Sequence, residues 1–172
     1  MYGSFLSGGL AGHIYGAEGI WGADIEPASP VKMWDAFQWR SGAEMQHLRT
    51  FAFSVGRRFQ ELVPDADLVS PNKTHLILGY EGWAYCARTP DKKIFLAYFE
   101  KECPRSRIRS SLPLSSYRAQ WFDPRNGTWR TAGKGAVTSS STSIIELPDF
   151  PDSLDWGLKL EYSGPAPKPG SP

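Results

Sequence analysis

A glycine-rich segment near the start of the chain carries three side chains of types that can contact a sugar. The segment GGLAGHIYGAEGIWG, residues 8–22, holds six glycines together with His13, Tyr15 and Trp21. If GHIYG is extended, the imidazole and the phenol lie on one side of it, because side chains alternate along a strand. Both can hydrogen-bond to sugar hydroxyls, and an indole can cover the C–H side of a sugar ring. Two alternatives stay open. His13 could be a strand residue whose ring nitrogens bond to neighbouring groups, and Trp21 could be a core residue under the loop.

Three acidic residues on the loop after this extended run are the nearest candidates for acid–base catalysis. Glu18, Asp24 and Glu26 lie on the loop, and a pair of them could meet across a cleft. We expect them instead to be solvated, because a glycine-rich surface loop offers no surroundings that hold one carboxyl pKa above the other. Ser7 and His13 do not form a nucleophile and base, since no acid at suitable spacing orients the histidine.

The histidines and cysteines do not have the spacing of metal ligands. His13, His47 and His75 are scattered without companion cysteines. Cys86 and Cys103 match no metal-binding pattern and form either free thiols or one disulfide. Free thiols are favoured, since a chain of this size does not depend on a covalent cross-link. We predict no metal and no cofactor.

The composition limits the classes of partner. The 172 residues are 41% hydrophobic and 22% charged, with 19 Lys and Arg against 18 Asp and Glu. A nearly neutral chain is not drawn to nucleic acid or to an anionic membrane. No apolar run approaches the roughly 20 residues that span a bilayer, and the first residues lack a secretory signal, so the compartment stays open. Seven Trp, seven Tyr and nine Phe, with 17 Gly and 14 Pro, suit sheets, turns and contact with sugars.

The segment from 31 to 63 has the pattern of helices. Ser41 and Glu44 have the spacing of a capping box, in which each side chain bonds a free backbone amide. We predict a helix starting at Ser41, a shorter one at about 31–37, and a stop at Pro64. The longer helix has apolar residues at three- and four-residue steps, namely Met45, Leu48, Ala52, Val55 and Phe59.

From about residue 67 the apolar period changes to two. Short runs rich in β-branched and aromatic residues recur about every ten residues, which predicts an antiparallel all-β sandwich. The clearest turn is DPRNG, residues 123–127, between strands that carry Trp121 and Trp129. The tail SGPAPKPGSP is expected to be disordered. The predicted strand segments are HLILG, EGWAYCART, KIFLAYFE, YRAQWFD, TWRTAG, TSIIEL and DWGLKLEY.

Other aromatic and basic residues have mainly structural interpretations. We expect Trp34 and Trp39 to be packing residues and His47 to lie on the surface. Most of the later tryptophans, Trp83, Trp121, Trp129 and Trp156, should fill the sandwich core. The arginines at 105, 107 and 109 alternate along one run. They form either a solvated or edge-protecting strand face, which we favour, or a stripe for acidic glycans.

The order of elements in the first part of the chain is typical of the last unit of an α/β barrel. A helix, a short turn, a strand, a long loop and another helix follow one another, and barrel chemistry lies where strands end. The motifs LSGGLAGHIYGAEGIW, MWDAF, GAEMQHLRTF, ELVPD and WFDPRNGTW occur in this order. Together they resemble the C-terminal part of the apiosidase-like glycoside hydrolases, over roughly residues 4–162. In that family a (β/α)8 barrel is followed by a β module named for collagen binding.

The resemblance implies a fold, a function and a set of site residues. The fold is α+β, an incomplete C-terminal segment of a (β/α)8 TIM barrel over 1–64 followed by an all-β antiparallel sandwich over 65–163, with a disordered tail over 164–172. The resemblance also implies that both catalytic carboxylates lie upstream, so this chain has no catalytic residue. His13, Tyr15 and Trp21 are then predicted to bind substrate.

Two functions follow for the chain. The first is the C-terminal portion of a glycoside hydrolase that acts on polysaccharide side chains and is inactive alone. Its partners are a carbohydrate substrate and the missing barrel segment of the same polypeptide. The alternative is a noncatalytic β-sandwich module that binds carbohydrate or matrix protein.

Overall fold

The protein is rich in antiparallel β structure. The computed structural model describes residues 1–8, 16–73 and 82–167. Within these ranges nine strands form two sheets, and three short α-helices and two 3₁₀ segments come mainly from the first third of the chain.

The larger sheet has six strands in the order β1-β3-β4-β9-β6-β7, each antiparallel to its neighbours. The predicted hairpin is confirmed: Asp123 pairs with Thr128 across the turn, and Gly127 supplies a positive φ of 72°. The strands are β1 (Val63–Pro64), β3 (Ala84–Arg88), β4 (Ile94–Phe99), β6 (Ser115–Asp123), β7 (Thr128–Thr138) and β9 (Trp156–Pro165).

The smaller sheet has three strands of two residues each, in the order β2-β5-β8. They are β2 (Val69–Ser70), β5 (Arg107–Ile108) and β8 (Ile145–Glu146). Val69 pairs with Ile108 and Ile108 pairs with Ile145. All three of these side chains are buried in the core that the small sheet shares with the large one.

The helices are α1 (Tyr2–Leu6), α2 (Met33–Ala36) and α3 (Arg40–Ala52). A 3₁₀ segment, Phe53–Glu61, continues α3 and is broken at Gly56, where φ is 58° and ψ is −141°. A second 3₁₀ turn is Ala66–Leu68.

No helix in the described ranges combines the length and the apolar character that crossing a bilayer requires.

Strand β4 is buried on both faces of the large sheet. Phe95, Ala97 and Phe99 face the core beneath the small sheet. The alternate residues of β4 face a second core, which also contains residues of α1 and α3. These β4 residues are Ile94, Leu96 and Tyr98. A strand covered on both sides needs apolar residues at every position, which explains the unbroken run IFLAYF.

The helical segment forms this second core with the sheet. Phe51 of α3 is fully buried and lies 5.9 Å from Trp129 and 5.4 Å from Phe122, measured between ring centroids. Gly157 makes this approach possible, since a Cβ there would lie 2.7 Å from Cε2 of Phe51. Helices α1 and α3 therefore bury one apolar face each against the antiparallel sheet.

The prediction of a TIM-barrel segment is wrong. Every strand pair in the described ranges is antiparallel, whereas a barrel needs parallel strands. A helix–turn–strand pattern describes local geometry only, and it does not specify which surface the apolar face of the helix covers. Residues 12–15 of the strand proposed at GHIYG lie outside the described residues, as does HLILG. The domain boundary predicted between residues 64 and 65 stays a prediction.

Two smaller predictions are also corrected. Helix α3 begins at Arg40 with Trp39 at its N-cap and no side-chain capping bond, so Ser41 lies inside the first turn and the capping box is wrong. At the other end of the chain, β9 runs to Pro165, which is past the predicted start of the tail. Residues 168–172 lie outside the described ranges.

Candidate functional site

Only one of the three predicted substrate-binding residues belongs to the described chain. His13 and Tyr15 lie outside the described residues. Trp21 is 82% exposed, so it is not a core tryptophan. Its ring lies against Gly16, where a Cβ would be 2.7 Å from Cε3 of the indole.

Backbone turns hold the segment that carries Trp21. The amide of Trp21 donates to the carbonyl of Ala17 at 2.9 Å, and the amide of Asp24 donates to the carbonyl of Gly19 at 2.8 Å. Gly19 has a φ of +82°, and a Cβ there would lie 2.9 Å from the carbonyl oxygen of Val31. Glycine is therefore required at this position, both for the turn and for the close approach of the two backbones.

The nearby acids do not form a buried pair. Glu18 and Glu26 are exposed and Asp24 is half-buried. The Nζ of Lys32 donates to the backbone carbonyl of Glu26 at 2.8 Å, so this lysine holds the loop and not the acid side chain.

Several other apolar side chains of the first third of the chain are exposed. Trp34 is 47% and Trp39 is 40% exposed, so the prediction that they are packing residues is wrong. They were expected to pack because they lie in a predicted helical stretch, but α2 is only four residues long and buries Ala36 alone. Ile25, Phe37 and Phe53 are also exposed.

A cavity of about 300 Å³ lies between α1, the start of α3 and the ends of β4, β6 and β9. Tyr2 and Tyr98 stack in its wall, with ring centroids 4.4 Å apart and ring planes 3° apart. The Oη of Tyr98 donates to Oδ2 of Asp155 at 2.6 Å. The backbone amide of Lys101 donates to Oδ1 of the same carboxylate at 2.8 Å.

The two phenols differ in their hydrogen bonding. Burial, together with the bond to Asp155, raises the pKa of Tyr98 far above its usual range. Burial also raises the pKa of Tyr2, with smaller contributions from the charges of Glu44, Asp123 and Asp155. Tyr2 is only 8% exposed, yet its Oη finds no hydrogen-bond partner within the described residues. Both groups are therefore neutral phenols at physiological pH.

Arg125 closes one side of this cavity and joins two carboxylates. It contacts Asp123 at 2.7 Å and Asp152 at 3.2 Å. Asp152 also accepts a hydrogen bond from Nε1 of Trp156 at 2.7 Å. The guanidinium carbon of Arg125 lies 4.8 Å from the centroid of the Trp156 ring. This network ties the β6–β7 turn to the start of β9.

This cluster was missed by sequence reasoning. Tyr98 and Asp155 are 57 positions apart, and Tyr2 precedes every predicted element. No motif or spacing connects them, because their proximity depends on how α1 docks on the sheet.

The three arginines that alternate along one run have partners within the fold. Arg105 pairs with Asp149 at 3.0 Å, Arg107 pairs with Glu146 at 3.9 Å, and Arg109 donates to Oγ of Ser70 at 2.7 Å. These contacts favour the structural interpretation of the arginine run. Trp121 and Trp156 are buried as expected.

Cys86 and Cys103 are free thiols. This confirms the favoured prediction over the alternative of one disulfide. Burial raises the pKa of Cys86 beyond its usual range and raises the pKa of Cys103 to about 11. In the part of the chain that the structure describes, no group of three His, Cys, Asp or Glu side chains is placed to hold a metal ion.

Comparison with known proteins shows a likeness of fold. No protein-family model matches the chain, and no curated protein matches its sequence. A solved structure named "Glycoside hydrolase" matches with a TM-score of 0.65 and 17% sequence identity, over 88% of this chain. The fold is similar to part of a glycoside hydrolase. The chain spans only 33% of the length of that structure.

Proposed function

We propose that this chain is the C-terminal portion of a glycoside hydrolase of the apiosidase-like kind, which acts on polysaccharide side chains. The observation that carries the proposal is the structural likeness, which covers 88% of this chain but only 33% of the glycoside hydrolase. The ordered motifs from LSGGLAGHIYGAEGIW to WFDPRNGTW support the same family. On this proposal the catalytic carboxylates belong to another segment of a longer polypeptide, and that segment is the chain's main partner.

The acids beside Trp21 and at the β6–β7 turn favour a noncatalytic role for this portion. Glycoside hydrolysis uses two carboxyl groups about 5–9.5 Å apart, one of which is kept protonated by its surroundings. Glu18 and Glu26 are exposed, and a solvated carboxyl group is not kept protonated near neutral pH. Asp123 is held by Arg125, which favours its charged form. We therefore propose that the 172-residue chain alone does not hydrolyse glycosides.

On this proposal the 172-residue chain contributes to binding the carbohydrate substrate. The exposed indole of Trp21 can cover the apolar face of a sugar ring, and His13 and Tyr15 precede it on the same segment. The nearly neutral net charge of +1 suits a carbohydrate better than a nucleic acid or an anionic membrane.

The test compares the 172-residue chain with the longer polypeptide. Both are incubated with aryl glycosides and pectic oligosaccharides, and released sugar is measured. We expect turnover only by the longer polypeptide, and a loss of substrate affinity in its Trp21→Ala variant. Trp34→Ala is the matched control, because it removes a second exposed indole outside the glycine-rich segment. Turnover by the 172-residue chain would contradict the proposal.

A second candidate is a noncatalytic module that binds carbohydrate or matrix protein. It is favoured by the two buried cores that the described chain forms by itself, together with its exposed aromatic side chains. Glycan arrays and collagen pull-downs with the whole 172-residue chain distinguish this candidate. The β region alone is an unsuitable reagent, because removing α1 and α3 would uncover Ile94, Leu96 and Tyr98.

A further inference from the structure

We propose that the segment 16–39 is the docking surface of this chain for the remaining portion of the longer polypeptide. The inference rests on the proposed function and deepens it, because it names the surface through which the two portions meet. The contact is made by three exposed apolar side chains, Ile25, Trp34 and Phe37, which we call the Trp34 patch.

Residues 16–39 are folded but belong to neither buried core. Local hydrogen bonds hold their backbone, such as the one from the amide of Trp21 to the carbonyl of Ala17 at 2.9 Å. The two cores of the described chain are built from other parts of it and contain no residue of 16–39. The only apolar side chains that the segment buries are those of Ala17 and Ala36. Ordering a chain costs conformational entropy that apolar burial normally offsets, so the segment needs a further surface to pack against.

The three side chains of the Trp34 patch belong to one small area. The amide of Met33 donates to the carbonyl of Asp24 at 2.9 Å. Ile25 and Trp34 directly follow these two residues, so they lie beside each other. The amide of Phe37 donates to the carbonyl of Met33 at 3.1 Å, and positions three apart on a helical turn are neighbours, which places Phe37 next to Trp34. Contiguous exposed apolar surface of this kind marks a contact site.

The surroundings of the Trp34 patch carry an excess of negative charge. Residues 16–39 contain four acids and a single basic residue, Lys32, whose Nζ donates to the backbone carbonyl of Glu26 at 2.8 Å. Glu18, Glu26 and Asp35 are exposed, and no basic side chain in the described ranges forms an ion pair with them. A complementary partner is therefore apolar at its centre, with lysine or arginine at the edge.

This charge favours a different partner over a second copy of the chain. In a two-fold symmetric dimer the same patch faces itself, so the acids around one patch would meet the acids around the other, which is unfavourable. The structural comparison supplies the alternative partner. The match covers 88% of this chain and leaves about two thirds of the glycoside hydrolase outside it, and we assign the cover of the Trp34 patch to that remainder.

Hydrogen–deuterium exchange followed by mass spectrometry tests whether the segment is covered. In the 172-residue chain we expect the amides of 16–39 to exchange rapidly, because no core holds their local hydrogen bonds closed. In the longer polypeptide the same amides should exchange at least about tenfold more slowly. The amides of Leu48, Phe51 and Ala52, which are buried in the second core, are the internal control and should be protected in both proteins.

Two matched variants assign the protection to the Trp34 patch. Phe37→Asp places a carboxylate in the apolar contact, where its desolvation is costly, so exchange of 16–39 in the longer polypeptide should become about tenfold faster. Leu114→Asp makes a similar change at a comparably exposed position outside the segment, 60% against 64%, and should keep the protection. In the 172-residue chain neither variant should change the urea midpoint of unfolding, because neither side chain is buried. Trp34→Ala stays a control for sugar affinity, since the covalent link keeps the two portions together when one contact is shortened.

The outcomes separate this inference from the proposed function. If the longer polypeptide hydrolyses glycosides but 16–39 exchange as fast as in the 172-residue chain, the inference fails and the proposed function stands. If 16–39 become protected but no glycoside is hydrolysed, the docking surface stands and the proposed function fails. Protection in the 172-residue chain that rises with protein concentration, with a dimer in analytical ultracentrifugation, would assign the patch to a second copy and overturn the inference. Equal effects of Phe37→Asp and Leu114→Asp would also overturn it.

Discussion

The ring of Tyr2 lies flat on the ring of Tyr98, with centroids 4.4 Å apart and ring planes 3° apart. Tyr2 belongs to α1 and Tyr98 to the central strand β4, so this single contact joins the first helix to the middle of the sheet. It covers part of one face of β4 and forms part of the wall of the cavity between α1, α3 and the large sheet.

Replacing Tyr2 by phenylalanine should leave the folded state intact and slightly more stable. The ring and its stacking are kept, while a buried hydroxyl without a partner is removed, so the free energy of unfolding should rise by about 0–1.5 kcal/mol. Urea unfolding followed by fluorescence measures this change. Tyr2→Ala should instead lower stability by about 3–5 kcal/mol, as for other large-to-small core changes. A clear loss of stability in Tyr2→Phe would mean that the hydroxyl has a partner.

Removing residues 1–64 should prevent the β region from folding as a monomer. The deletion takes away α1 and α3 and uncovers Ile94, Leu96 and Phe122, which are buried in the second core. An exposed apolar face of this size favours aggregation. Dye binding and analytical ultracentrifugation should show aggregated or molten material. A well-dispersed NMR spectrum from residues 65–172 would show that the sandwich is independent of the helices.

Gly127→Ala should destabilise the β6–β7 hairpin for two separable reasons. The residue has a φ of +72°, and a Cβ would lie 2.3 Å from Nδ1 of His47. Left-handed backbone costs an alanine about 1–2 kcal/mol, and the clash adds to this. The same change in a His47→Ala background should cost less, because only the backbone strain remains. Thermal unfolding of the four proteins gives both contributions, and an equal cost in both backgrounds would exclude the clash.

Stability should fall at acid pH through the Arg125 network. Burial acts to raise the pKa values of Asp123 and Asp152, but hydrogen bonds to the charged carboxylates outweigh it and lower both pKa values. A carboxyl group with a depressed pKa stabilises the fold above its unfolded pKa of about 3.9 and loses this effect as pH falls through the folded value. The loss should begin near about pH 5 and increase below it.

Arg125→Met tests the source of this pH dependence. The variant should be less stable at pH 7 and should lose less of its remaining stability between neutral and acid pH. Arg49→Met, which removes an exposed arginine of α3, is the control and should keep the wild-type pH profile. An unchanged pH slope in Arg125→Met would assign the acid sensitivity to other carboxyl groups.

The predictions that were confirmed rest on local chemistry. The hairpin at residues 123–127 was predictable because Gly127 supplies the positive φ and the strands on both sides carry strong β formers. The capping box failed because the spacing of Ser41 and Glu44 does not exclude a start one residue earlier, and Trp39 takes the N-cap position. Trp34 and Trp39 were expected inside, yet apolar character alone does not decide which side chains a short helix can bury.

The amino-acid sequence by itself determined the strand rhythm of the second half, the turn at DPRNG and the helical character of the segment that contains α3. These depend on interactions between residues close in the chain. Only the tertiary structure decided that α1 and α3 cover a face of an antiparallel sheet and do not continue a barrel. It alone also brought Tyr2, Tyr98 and Asp155 to one cavity. Such contacts join distant parts of the chain, and the free energy gained by burying an apolar face is nearly the same whichever apolar surface covers it, so periodicity cannot name the partner.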